Sequence, residues 1–138
     1  MKREEYRKIK LFITKDDILI GNRSLMCMAE KPFIQRQAEN IIIDHKPESV
    51  LEIGFGFGLT AKIFKANVKR HLVIEPHPLL AQKARDAGYD VWEGFAQDFE
   101  TDEEFDVIYD DRDEVLDEEC KLKERVKHKK YIMFELCR

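Results

Sequence analysis

Short apolar runs recur along the chain, each closed by proline, glycine or a carboxylate, with amphipathic stretches between them. Residues 9–13 and 18–20 read as two short strands about the turn Thr14-Lys15-Asp16-Asp17. Pro32 suits the first turn of a helix that runs to about His45, with Phe33, Ile34, Ala38, Ile41 and Ile42 on its apolar face and Pro47 as its stop. Residues 49–53 form a continuous buried strand, followed by a glycine loop and a helix over residues 59–66. A second strand covers 71–74, and Pro78 opens a helix to about Ala87 that Gly88 closes. Residues 89–92 and 105–109 are the third and fourth strands. Residues 113–127 have strong helix composition, with Val115, Leu116, Leu122 and Val126 as inward positions, and 131–136 make a fifth strand.

Strands that alternate with helices imply right-handed crossovers and a mostly parallel sheet covered by helices on both faces. The expectation is a Rossmann-like α/β fold of about five strands in a single domain over residues 1–138, with residues 1–30 as an N-terminal hairpin and lid-like segment. No linker or repeat interrupts it. In such an open sheet a ligand lies beyond the carboxyl ends of the strands, where the strand order reverses. Those ends carry Glu52, Glu75, the segment 94–98, and Asp110 with Asp111.

Composition adds limits. No apolar run nears the ~18 residues that would cross a bilayer, so no membrane role is expected. Cys27, Cys120 and Cys137 are scattered and odd in number, which suits a reducing cytoplasm and neither a zinc site nor a disulfide framework. The net charge of −4 conceals an asymmetry. From Asp98 to Glu119 there are thirteen acidic residues and one basic residue, Arg112, a local charge of −12 that leaves +8 elsewhere. An acidic mouth of this kind attracts a cationic substrate, and a solvated helical surface is the plainer account of most of these charges. The basic clusters lack a recognition motif, so nucleic acid is not an expected partner.

The chemistry concentrates at Glu52-Ile53-Gly54-Phe55-Gly56-Phe57-Gly58. Glycines let the backbone turn tightly and approach a ligand. Seventeen residues on, the second strand ends at Glu75, placed to accept both hydroxyls of an unphosphorylated ribose. A dinucleotide fingerprint would read G-x-G-x-x-G. The spacing here, E-x-G-x-G-x-G, is the one associated with S-adenosylmethionine; a ligand-free strand-to-helix turn and an NAD site are the alternatives.

Four segments carry a closer likeness: Leu25-Met26-Cys27-Met28-Ala29-Glu30-Lys31-Pro32-Phe33, Val50-Leu51-Glu52-Ile53-Gly54-Phe55-Gly56, His71-Leu72-Val73-Ile74-Glu75-Pro76-His77-Pro78, and Gly94-Phe95-Ala96-Gln97-Asp98 with Phe105-Asp106-Val107-Ile108-Tyr109-Asp110. In these the chain resembles the class I S-adenosylmethionine-dependent methyltransferases, and within them the guanidinoacetate and arginine δ-N-methyltransferase family. The resemblance implies a cofactor held by Glu52, Gly54, Phe55, Gly56, Gly58, Glu75, Pro76, Phe95, Ala96 and Gln97. It assigns the guanidino group of a small acceptor to Glu30 and to Asp110 or Asp111, depending on the alignment, and requires no metal. Ala29, Ala96 and Ile34 stand where the family has tryptophan, tryptophan and methionine. The usual sixth and seventh strands are not represented, so the fifth strand is expected on an edge, open to pairing in a homodimer. An N-methyltransferase, a cofactor-binding module without its own acceptor, and an enzyme that cleaves S-adenosylmethionine all remain open.

Overall fold

The computed structural model describes residues 2–20, 23–112 and 120–134. After a short helix α1 (Arg3–Lys8), the strands β1 (Leu11–Ile13), β2 (Asp17–Ile20) and β3 (Arg23–Cys27) form an antiparallel sheet in the order β1-β2-β3. A 3₁₀ turn over Met28–Glu30 leads into α2 (Lys31–His45). From there strands and helices alternate: β4 (Ser49–Ile53), α3 (Leu59–Asn67), β5 (Arg70–Glu75), α4 (Pro78–Asp86), β6 (Val91–Glu93), β7 (Phe105–Asp110), α5 (Leu122–Arg125) and β8 (His128–Met133). The second sheet is parallel throughout, in the order β6-β5-β4-β7-β8. The chain moves outward from β4 to β6, then returns to the other side of β4 as β7. The carboxyl ends of β4 and β7 therefore flank the switch in strand order.

The core divides by strand alternation, since successive residues point to opposite faces. Val50, Val107 and Tyr109 meet Ala38 and Ile41 of α2 and Phe64 of α3. Val73 meets Ala61 of α3 and Ala84 of α4. The neighbouring residues Leu51, Ile74 and Ile108 turn the other way, onto Ala96, Phe99, Leu122 and Val126. Central strands buried on both faces read as continuous apolar runs. Prolines set the starts of α2 and α4, and α2 ends where Lys46 takes a left-handed conformation (φ 44°) ahead of Pro47. Among the described residues no helix is long and apolar enough to cross a membrane.

The structure departs from the sequence pattern in four places. The N-terminal unit is a three-stranded sheet preceded by a helix, not a two-stranded hairpin. α1 carries one buried apolar residue, Tyr6, too few for a periodic signal. The third strand lies at Val91–Glu93, displaced from 89–92, because pairing to Val73–Glu75 sets its bounds. The last strand begins at His128, three residues early, since pairing with β7 draws Lys129 and Lys130 into the ladder. Of the helix expected over 113–127, the described part is the single turn α5; Leu122 and Val126 are buried, while Val115 and Leu116 lie outside the described residues.

Candidate active site

Four chain segments meet at the carboxyl edge of the parallel sheet. They are the glycine loop after β4, Glu75 to His77 after β5, the 94–98 segment after β6, and Asp110 to Arg112 after β7. Gly54, Gly56 and Gly58 all have positive φ. Gly54 is required twice over: at φ +92° an added Cβ would also stand 2.7 Å from the Asp111 carbonyl oxygen. The loop and the end of β7 are thus in backbone contact. The Asp111 N–H donates to the Ile53 carbonyl at 3.0 Å and extends that join.

Glu75 is 3 % exposed and anchors the loop from below. Its Oε1 accepts the Phe55 N–H at 3.0 Å and its Oε2 the His77 N–H at 2.9 Å. Burial pushes its carboxyl up to about 7 against the pull of those two donors, and the Glu93 charge adds to the rise. A carboxylate has about four acceptor sites, so two remain for hydroxyl groups of a ligand.

Glu52 occupies a different environment. It is 0 % exposed, accepts the Thr60 hydroxyl on Oε2, and lies 2.8 Å from Nε2 of the buried His71 on Oε1. It fixes the first turn of α3 against β5 from inside the sheet. Phe55 offers the site its backbone, because its ring packs inward on Tyr89 with centroids 5.4 Å apart. Pro76 is half-buried. Phe95 is buried against Tyr6 of α1, and Ala96 belongs to the core under the sheet end. Gln97 is half-buried, and the carbonyls of Ala96 and Gln97 both accept from Arg125 of α5, which clamps that turn.

Helix α1 caps this part of the edge. Arg3 pairs with Asp98, Arg7 with Glu93, and Tyr6 packs on both His77 and Phe95. His77 Nε2 donates to the Ile9 carbonyl at 2.8 Å, while its Nδ1 accepts the Leu79 N–H at 3.2 Å. His77 therefore joins α1, β5 and α4. Its role lay outside the sequence reading, although it falls within the motif Ile74-Glu75-Pro76-His77-Pro78.

The two aspartates separate. Asp110 is 2 % exposed and its oxygens are engaged: Oδ1 accepts the Arg112 N–H at 3.2 Å and Oδ2 accepts the Tyr131 hydroxyl. Burial and the Asp110 charge hold the Tyr131 phenol well above its ordinary value. The Asp111 charge contributes to raising the Tyr109 phenol, chiefly displaced by burial, whose hydroxyl donates to Gln37 of α2 at 3.2 Å. Asp110 thus lies on the α5 side with Ile108 and Tyr131, and the Asp111 charge falls near Tyr109, which faces α2. Glu30 is half-buried at the N-terminus of α2. Among the described residues no hydrogen bond or ion pair joins Glu30 to either aspartate.

No family model matches the chain, and no curated protein matches it. Solved structures do resemble it. The N-methyltransferase NodS from Bradyrhizobium japonicum matches at 22 % identity and a TM-score of 0.49, over 59 % of this chain and 49 % of that one. The methyltransferase PaMTH1 from Podospora anserina, solved with SAH bound, matches at 24 % identity and a TM-score of 0.45, over 60 % and 40 %. The PRMT1 enzyme–prozyme complex from Trypanosoma brucei, solved with AdoHcy, matches at 17 % identity and a TM-score of 0.47, over 57 % and 27 %. This chain spans less than half the length of each.

Proposed function

We propose that the chain is an S-adenosylmethionine-dependent methyltransferase domain acting on a nitrogen of a small guanidino or amino compound. One observation carries the reading: a buried carboxylate, Glu75, at the end of β5 with acceptor sites to spare and a direct bond to the glycine loop. In this proposal Glu75 takes the ribose hydroxyls and the backbone at Gly54, Gly56 and Gly58 borders the amino-acid end of the cofactor. Pro76 and the segment from Phe95 to Gln97 border the adenine. Bound S-adenosylmethionine supplies an electrophilic methyl group.

The remaining work falls to carboxylates. A guanidinium is planar, carries five donors and has no free nucleophilic lone pair while protonated. Glu30 and Asp111 would grip it, aim one nitrogen and accept its proton as the new bond forms. Positioning supplies much of the rest of the rate. Asp110 would act through Tyr131 and Arg112, since its oxygens already accept from both residues. That commitment also favours a second reading, a cofactor-binding module whose acceptor groups come from another chain. The outer edge of β8 is bare among the described residues, and we infer that it pairs with a second copy.

The test is mass spectrometry of S-adenosylmethionine incubated with the protein, with and without guanidinoacetate, arginine or a cell extract, beside a Glu75→Ala control. S-adenosylhomocysteine and a product heavier by one methyl, lost in the control, would establish the transferase. Methylthioadenosine without an acceptor would mean cleavage. Intact cofactor that binds but does not react would favour the module.

A further inference from the structure

Arg112 is the one cation in the acidic run from Asp98 to Glu119, and no step above uses its side chain. The structure sets it at the carboxyl end of β7 against the glycine loop, with its backbone nitrogen 3.8 Å from where a Gly54 Cβ would stand. The side chain is 25 % exposed. Its Nη2 stands 3.7 Å from Asp110 Oδ2, beyond hydrogen-bonding reach. Its Nη1 is buried and, among the described residues, has no hydrogen-bond partner.

Asp110 does not supply that partner: its Oδ2 stands 3.7 Å from Nη2, and Nη1 finds no acceptor among the described residues. A buried donor left without an acceptor is destabilising, and more so when it is charged. Such groups are rare and call for a specific reason. The residue that bears this donor follows β7 at the switch in strand order, where ligands of this fold bind. A guanidinium presents a fork that fits a carboxylate.

We propose that Arg112 is the carboxylate-recognising residue of this site, with Nη1 donating to a ligand carboxylate. The proposal rests on the methyltransferase reading for the identity of that ligand, and two sources share the chemistry. One is the amino-acid end of the cofactor. The other is an acceptor that carries a carboxylate beside its nitrogen, such as a guanidino acid or an amino acid. In either case the acidic mouth keeps one positive point, and a ligand with both charges is held at both ends.

The experiment compares wild type, Arg112→Gln and Arg112→Lys by calorimetric titration, with circular dichroism to confirm that each is folded. Two probe pairs differ by a carboxylate: S-adenosylhomocysteine against methylthioadenosine, and guanidinoacetate against methylguanidine. Arg112→Gln is expected to weaken the carboxylate member of one pair by about tenfold or more, leave the other member unchanged, and regain part of the loss as Lys. Loss in the first pair assigns the cofactor end, and loss in the second assigns the acceptor. Equal affinities for wild type and Arg112→Gln in both pairs would overturn the proposal. A third arm uses acetate alone, read as a shift in melting temperature. Acetate that protects wild type but not Arg112→Gln, with neither nucleoside bound, would uphold Arg112 and sink the methyltransferase reading. No protection by acetate and no binding in either pair would sink both.

Discussion

The carboxylate of Glu75 and the backbone of Phe55 are joined by a 3.0 Å hydrogen bond, so the end of β5 holds the glycine loop in place. The cost is a buried ionisable group whose carboxyl is pushed from 4.5 up to about 7. Below its ordinary value both folded and unfolded states are protonated. As pH rises through the window between 4.5 and about 7 the unfolded chain releases the proton first, so the folded state loses about 3 kcal/mol by about pH 8. Glu75→Gln cannot ionise. Melting curves are expected to show wild type falling relative to Glu75→Gln between about pH 5 and about pH 8; parallel curves would contradict the shift. Ligand binding should run the opposite way. The ionised form accepts ribose hydroxyls, so titration with S-adenosylhomocysteine should tighten through about pH 7 in wild type and stay weak and flat in Glu75→Gln.

Gly54→Ala should damage both the fold and the site. The new methyl would meet the Asp111 carbonyl at a backbone angle that side chains rarely adopt. A loss of at least about 2 kcal/mol in denaturant unfolding is expected, together with loss of S-adenosylhomocysteine binding. Wild-type stability in this variant would mean that the join between β4 and β7 is slack.

The two adjacent aspartates should fail differently. Asp111→Asn is expected to lower kcat by about a hundredfold or more while cofactor affinity holds, because its carboxylate would act on the acceptor. Asp110→Asn should instead lower stability by about 1–3 kcal/mol, since it weakens the bonds from Tyr131 and the Arg112 backbone. Kinetics and unfolding of the pair would separate them, and the reverse pattern would exchange their roles.

Edge pairing predicts a dimer. Met133 on β8 is 49 % exposed, and a charge there should discourage a second strand from docking. Light scattering at micromolar concentration should find wild type dimeric and Met133→Lys monomeric, with unchanged circular dichroism. A wild-type monomer would end the proposal.

What the sequence determined by itself is what short-range physics controls. The glycine loop was legible because positive φ excludes most side chains, and the starts of α2 and α4 because proline fits a first helical turn. The bounds of β4 match because a buried parallel strand is an apolar run, here Val50, Leu51 and Ile53 about Glu52, with Ser49 at its start. Glu75 was placed for the same reason, as the first carboxylate after such a run. Only the tertiary structure decided the rest. Lys129 and Lys130 became strand because β7 lies beside them, and α1 became a cap because Tyr6 found His77 and Phe95. Glu52 turned inward because His71 and Thr60 satisfy it there. Asp110 and Asp111 look alike in sequence, yet Tyr131, 21 residues away from Asp110, binds that one, while the charge of the other falls near Tyr109. Burial and pairing depend on which distant segment arrives alongside, and no local pattern records that.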